Sequence, residues 1–410
     1  MSGGSDGRED RSVKVAFVMP GIGVVHRGAE AFVVEIASAL AGRPGFDTTI
    51  FSRAAPDGAG AGAGTGTGAS ANAVAGAGAA GHHPVWALDR DTRWLNRLYA
   101  ATRFGRKVLD TLFLDPLNVE WYTAALSAFP ALWRGRYDVV VMEGGLVGAW
   151  LSRILRRLRG TAFIDVAHGL DPKWEGAFAR QRPDRVVTFT RAAAEMIAGR
   201  APRARVAVIP HGIDLETFHP GAAPADTGLP GPVVMAAGAV DGHKRIDLAL
   251  DAVAALHRRG REVSFLVLGR GPQGEALDRR AAGTLPAGRY RRLTVPRSEM
   301  PRWYAAADVF TLPSLTESFG LTYLEAMACG RPCVAPDDPV RREVVAGGGG
   351  GAEGAAGGLL ADPTDPEAYA DALAAALDRD WGDAPRRRAE AFPVTATVEG
   401  WAGLLREVTA

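Results

Sequence analysis

Short, uninterrupted apolar runs recur along this chain and fall into two successive series. The first series takes 13–19, 48–51, 139–142, 162–166, 186–189 and 206–209; the second takes 233–237, 264–268, 293–295, 309–312 and 333–335. Runs of this kind, lacking a period-two alternation, read as strands buried on both faces, which means parallel sheet. Segments with helical periodicity, such as 29–40, separate them. Two such alternations in a row predict an α/β protein with two doubly wound, Rossmann-like parallel sheets facing across a cleft.

The chain has 410 residues, 47% of them hydrophobic, which is enough for two cores. The expected division is a first domain over 13–215, a Pro/Gly/Ala-rich linker over 216–231, a second domain over 232–383 and a helical tail over 384–410. Residues 1–12 are polar and glycine-rich and read as disordered, without the apolar stretch of a signal peptide. Residues 54–81 collapse into Ala, Gly, Ser and Thr and read as a disordered surface insertion; 347–358 reads as a loose turn. No run approaches the roughly 18–20 apolar residues that span a bilayer, so a cytoplasmic location is expected. The net charge of +1 gives no global field for nucleic acid. Cys329 and Cys333 lack further ligands at metal spacing and are expected to be buried, inert thiols.

Chemistry concentrates between Pro313 and Pro332, where Glu317 and Glu325 stand eight positions apart. Leu321, Leu324 and Met327 have helical spacing, so a helix is expected from about Gly320 to Gly330, with Gly330 as its left-handed cap. Glu325 then lies within the helix and Glu317 on the loop feeding its N-terminus, a natural seat for phosphate. Taken alone, two such glutamates are more often solvated than functional; their neighbours change that balance.

The segment resembles the E-x7-E signature of retaining GT-B glycosyltransferases of the glycosyltransferase 4 family. Further stretches carry the same resemblance: Ile209-Pro210-His211-Gly212-Ile213-Asp214 with Phe218-His219-Pro220, the loop from Gly238 through Lys244-Arg245, Val267-Leu268-Gly269-Arg270-Gly271-Pro272, and Ala305 to Ser314. The match covers most of the C-terminal half and thins in the N-terminal half. It implies that Glu317 reaches donor-sugar hydroxyls and that Glu325 reaches the ribose. Amides from Phe319, Gly320, Leu321 and Thr322 would receive sugar hydroxyls and the distal phosphate. Lys244 would neutralise the departing diphosphate. The family's usual arginine directly after the glycine of that loop is Ala239 here, and Arg245 and Arg270 are the candidates to replace it. Arg297 belongs with the expected donor-binding residues.

His168, after a strand of the first domain, matches the family's "HG" histidine and is expected to contact the donor sugar; His211 reads as a hinge residue bonded to backbone. The first turn, Pro20 to Glu30, resembles the family's N-terminal glycine loop, which implies Gly21 and Arg27 toward the acceptor and Gly23 toward the donor phosphate. It does not meet the dinucleotide spacing G-x-G-x-x-G, because position 26 is His, which argues against a nicotinamide enzyme.

The helical segment 150–159 sets arginines against apolar residues. It reads as an outer Rossmann helix, with peripheral contact at the inner face of a membrane as the alternative. The resemblance implies a metal-independent hexosyltransferase-type reaction with a nucleotide-diphosphate sugar as co-substrate, no cofactor, and a small-molecule, glycan or lipid-linked acceptor. The competing readings are a non-catalytic scaffold that binds sugar or partner, and a hydrolase or epimerase of nucleotide sugars.

Overall fold

The structure, a computed structural model, describes residues 11–22, 28–55, 79–100, 114–142, 145–168, 172–348 and 356–410. Gly23, Arg27, residues 1–10 and most of the 54–81 and 347–358 segments lie outside the described residues.

The first sheet holds β1 (Val13–Val18), β2 (Phe46–Ser52), β3 (Gly81–Pro84), β4 (Val139–Met142), β5 (Ala162–Val166), β6 (Arg185–Thr188) and β7 (Val206–Val208). The second holds β8 (Val233–Ala237), β9 (Ser264–Leu268), β10 (Tyr290–Leu293), β11 (Val309–Thr311), β12 (Cys333–Pro336) and β13 (Gly358–Ala361). Their orders are β3-β2-β1-β4-β5-β6-β7 and β10-β9-β8-β11-β12-β13, with every pairing parallel. The two orders are the same but for the extra outer strand of the first sheet. β8 and β9 are buried at every position, as continuous apolar runs in a covered parallel sheet should be.

Three strands depart from the sequence expectation. β10 starts at Tyr290, earlier than 293, because an edge strand tolerates Arg291 and Arg292 where a central one would not. β3 (Gly-His-His-Pro) and β13 (Gly-Leu-Leu-Ala) are also edges, held by one neighbour each; β3 has no apolar run, and β13 is a four-residue strand that directly follows the glycine-rich stretch read as a loose turn.

In each sheet the strand order reverses once, between β1 and β4 and between β8 and β11. Such a switch point opens a crevice beyond the carboxyl ends of the strands. The loops that leave β8 and β11 are those of Lys244 and Glu317, so the topology sets the two sequence motifs side by side.

The chain between β7 and β8 contains no helix or strand. Helix Ala384–Glu390 lies beside helix Leu321–Ala328, and helix Val394–Thr409 then packs on the first sheet. There Trp401 is fully buried, its ring 6.3 Å from Phe17 and 6.1 Å from Phe32. The crossing is pinned where Ile213 N donates to Phe392 O (2.9 Å) and Val394 N to Ile213 O (3.1 Å). Gly212 makes it possible: a Cβ there would lie 2.6 Å from Val394 N. A second tie runs from Glu343 to the first domain, where its carboxylate accepts the amide of Arg191 (2.9 Å) at the start of helix Arg191–Arg200.

Candidate active site

Glu317 sits on the loop between β11 and helix Leu321–Ala328, with its side chain largely buried. One oxygen, Oε1, accepts from Lys244 Nζ and from Ser314 Oγ (3.1 Å). Ser314 is itself clamped by Arg341, whose Nη2 donates to its carbonyl (2.6 Å) and its hydroxyl (3.0 Å). Arg341 is fully buried and paired with Asp338 at 2.7 Å. A relay of charged and polar groups therefore fixes the Glu317 carboxylate from behind. Lys244 is placed from the other side: the Asp241 carboxylate accepts the amides of His243 (2.9 Å) and Lys244 (3.0 Å), forming the turn that precedes helix Ile246–Arg258.

The helix that carries Glu325 spans Leu321–Ala328 within the expected bounds, with left-handed Gly320 as N-cap, Cys329 as C-cap and the expected left-handed Gly330 just beyond it. At its end Arg331 N bonds Ala326 O and Gly330 N bonds Met327 O, both at 2.9 Å, the paired closure typical of such a glycine. At its start Gly320 has φ 95° and no side chain caps the helix. The first helical amides have no carbonyl partner inside the helix, and they follow directly on the loop that carries Glu317.

Glu325, in mid-helix, is only 1% exposed. Tyr304 donates to its Oε2 at 2.8 Å, and Arg297 Nη1 makes an ion pair with Oε1 at 2.6 Å. The neighbouring carboxylate holds the Arg297 guanidinium above its ordinary range. Burial, reinforced by the same carboxylate, pushes the Tyr304 hydroxyl well up.

The remaining candidates divide. Arg245 turns onto its own helix, its Nε and Nη2 on Asp247 at 3.1 and 3.2 Å. Arg270 is exposed, and its carbonyl accepts Val240 N at 3.0 Å, which docks the Lys244 loop on the loop after β9. Thr322 and Leu321 are half-buried on the first turn, while Phe319 is buried. Gly21 is buried below the carboxylate of Glu30, whose Oε1 would lie 2.5 Å from a Cβ at that position.

His168 is half-buried after β5 and packs with Phe189 (ring centroids 4.9 Å apart) and Phe32 (6.0 Å). The expected backbone bond of His211 needs correction. Its ring stacks on Phe189 at 3.8 Å and meets Phe32 edge-on at 4.3 Å, while Nδ1 is buried without a hydrogen-bond partner. Burial, then the proximity of His168, drives its pKa well below the ordinary histidine value. Its ring also touches Phe319 of the glutamate loop at 5.3 Å, so an aromatic cluster joins the two domains behind the site.

Arg341, Ser314 and Tyr304 emerge only from the fold. Arg341 is followed in sequence by Arg342, which is exposed, and nothing local separates the two. Cys329 and Cys333 are buried thiols, burial pushing Cys329 up to about 12. Among the described residues no group of three or more His, Cys, Asp or Glu could hold a metal ion, and no helix is long and apolar enough to cross a membrane.

Residues 231–379 match the family described as glycosyl transferases group 1, and residues 26–217 match Glycosyltransferase Family 4. The D-inositol 3-phosphate glycosyltransferase of Corynebacterium urealyticum is 35% identical over 330 residues, covering 72% of this chain and 75% of that protein. The protein of the same name from Frankia alni is 32% identical over 274 residues, 58% of this chain and 65% of that protein's length. Among solved structures, sucrose-phosphate synthase from Thermosynechococcus elongatus superposes with a TM-score of 0.70 at 18% identity, over 96% of this chain and 98% of that one, which shows the GT-B fold. With two matched regions, shared motifs and that fold, the chain belongs to glycosyltransferase family 4, the glycosyl transferases group 1.

Proposed function

We propose that this protein moves a sugar from a nucleotide-diphosphate sugar to a hydroxyl acceptor with retention of anomeric configuration, in natural-product or cell-envelope glycan biosynthesis. The observation that carries the reading is the contact of Lys244 with Glu317 at the uncapped start of helix Leu321–Ala328, on the two loops that flank the switch point of the second sheet. A cation, a helix N-terminus and a fixed carboxylate in one crevice suit a diphosphate joined to a polyhydroxylated ring.

In this mechanism Glu325 accepts the ribose hydroxyls and the first amides of the helix hold the distal phosphate. Glu317, immobilised by Ser314 and Arg341, accepts sugar hydroxyls and sets the orientation of the anomeric carbon. The bond from that carbon to the phosphate oxygen breaks, and Lys244 stabilises the charge that grows on the leaving group. The acceptor hydroxyl forms the new bond on the same face and passes its proton to the departing phosphate. No cofactor or metal ion is assigned a part. His168, on the first domain, lines the sugar from the acceptor side. Arg297, paired with the Glu325 assigned to the ribose, joins Arg245 and Arg270 as a candidate for the second donor-site cation.

A panel of nucleotide sugars scored by thermal shift identifies the donor, since a ligand bound to the native state raises its stability. Acceptors follow, a phosphorylated polyol first in view of the relatives' names, with the product's anomeric configuration read by proton NMR. Nucleoside diphosphate release that needs no acceptor would replace transfer by hydrolysis. Donor binding without turnover across a broad acceptor panel would favour the scaffold reading.

A further inference from the structure

Large hydrophobic side chains are not exposed at random on this protein. Ten are exposed among the described residues, and eight of them fall between Trp86 and Leu158 of the first domain. Helix Leu146–Arg159 shows why this is more than leftover core. Gly148, Ala149, Leu151, Ser152 and Leu155 are buried and supply the face that covers the sheet. Trp150, Ile154 and Leu158 form a second stripe at i, i+4 and i+8, with Trp150 57% and Leu158 62% exposed. Beside it runs helix Pro116–Gly135, which turns Leu126, 54% exposed, and the partly buried Phe129 and Trp133 outward. Phe129, Pro130, Trp133, Arg134, Ile154 and Leu158 line one open groove of about 470 Å³ between the helices.

The charge around this apolar face is predominantly positive. Helix Leu146–Arg159 carries Arg153, Arg156, Arg157 and Arg159 and no acidic residue. The acid of helix Pro116–Gly135, Glu120, is fully buried against Arg53 and Arg90. Arg156 is paired with Asp184 and Arg153 donates to Gln181 O, but among the described residues no carboxylate pairs with Arg134, Arg157 or Arg159. Arg159 lies over the Trp133 ring at 4.3 Å, with its charge at the rim of the groove.

We propose that this face, helices Pro116–Gly135 and Leu146–Arg159 with the groove between them, docks on an anionic phospholipid surface. Tryptophan and leucine in the apolar stripe suit the depth of the headgroup boundary, and arginine stems lie along apolar surface while their heads stay among phosphates. A second copy of the chain is a poorer occupant, because a symmetric pairing would bring the unpaired arginines of both copies together. The surface is separate from the donor crevice, so the inference stands apart from the sugar chemistry proposed above.

The test is co-sedimentation of the full chain with vesicles of phosphatidylcholine alone and of an equal mixture with phosphatidylglycerol. Binding to the mixed vesicles, weak binding to the neutral ones, loss at high salt and a blue shift of tryptophan emission are expected. The pair Trp150→Glu and Leu158→Glu should abolish binding with an unchanged melting curve, since both side chains are exposed. Arg157→Gln and Arg159→Gln should each lower partitioning about fivefold, the factor for one basic residue near an anionic surface. Absence of binding to mixed vesicles at low salt overturns the proposal. So does a dimer in dilute solution that the two glutamate substitutions dissociate, which would assign the face to a second copy.

Discussion

Replacing Glu325 by glutamine isolates the charge of the buried carboxylate from its shape. In the native protein the carboxylate is 1% exposed, accepts from Tyr304 at 2.8 Å and pairs with Arg297 at 2.6 Å. The glutamine carbonyl can still accept from Tyr304, but its NH2 would face the guanidinium, donor against donor. Breaking a buried ion pair costs about 3–5 kcal/mol. The Arg297 side chain is 25% exposed, so water recovers part of that loss; about 1–3 kcal/mol is the expected destabilisation. For domains of this size that corresponds to a fall of roughly 2–12 °C in melting temperature. Nucleotide affinity should fall as well, because the ribose loses a charged acceptor worth about 1.5–3 kcal/mol, or about 10–150-fold in Kd. Calorimetry with the free nucleoside diphosphate measures the second effect and a thermal melt the first. Adding Arg297→Met should restore stability, since the guanidinium left unpaired is then gone, without restoring affinity. Unchanged affinity in Glu325→Gln would refute the ribose assignment, and an unchanged melting temperature would refute the energetic role of the ion pair.

Three further perturbations probe the frame of the site. Gly320→Ala should lower stability by about 1–2 kcal/mol through its left-handed backbone alone, with an added clash because Tyr323 Cδ2 would lie 2.7 Å from the new Cβ; a melting curve and donor affinity at wild-type values would contradict this. His211 has a depressed pKa and stays neutral in the fold, so its contribution is complete above about pH 6.5 and is lost as the unfolded state takes up a proton below it. His211→Phe should flatten that loss, the two proteins differing by up to about 1.4 kcal/mol per pH unit on the acid side; parallel pH profiles would contradict it. Glu343→Ala removes the carboxylate from the start of helix Arg191–Arg200, at a cost of about 0.5–2 kcal/mol as for other lost caps. Small-angle scattering should then show a larger radius of gyration in the unliganded protein, and an identical curve would show that the contact does not hold the domains together.

The sequence made the sheets legible where burial is complete. Runs such as Val139–Met142 and Val233–Ala237 have no polar alternative and form strands over those residues. Three of the four edge strands are harder to read: β3 has no apolar run, β10 carries two arginines, and β13 is a four-residue strand that follows a glycine-rich stretch. The pairing of Lys244 with Glu317 was foreshadowed by two motifs but needed the strand order to bring their loops together. Arg341 could not be read in advance, since a buried guanidinium and an exposed one look alike in sequence and only the position of Ser314 distinguishes them. The second apolar stripe of helix Leu146–Arg159 was hidden for a related reason. Leucine and tryptophan at helical spacing suggest a single core face, and the burial pattern is needed to show that they form two.

The central claim is that Lys244 and the loop of Glu317 stabilise charge growing on a departing diphosphate, and steady-state kinetics of Lys244→Ala with the identified donor test it most directly. An interaction stronger in the transition state than in the ground state acts on kcat. The account predicts a loss of roughly 10²–10³ in kcat with a clearly smaller change in donor Kd. A kcat at the wild-type value, with only KM raised, would contradict it and reduce Lys244 to a residue that binds the donor without assisting its cleavage.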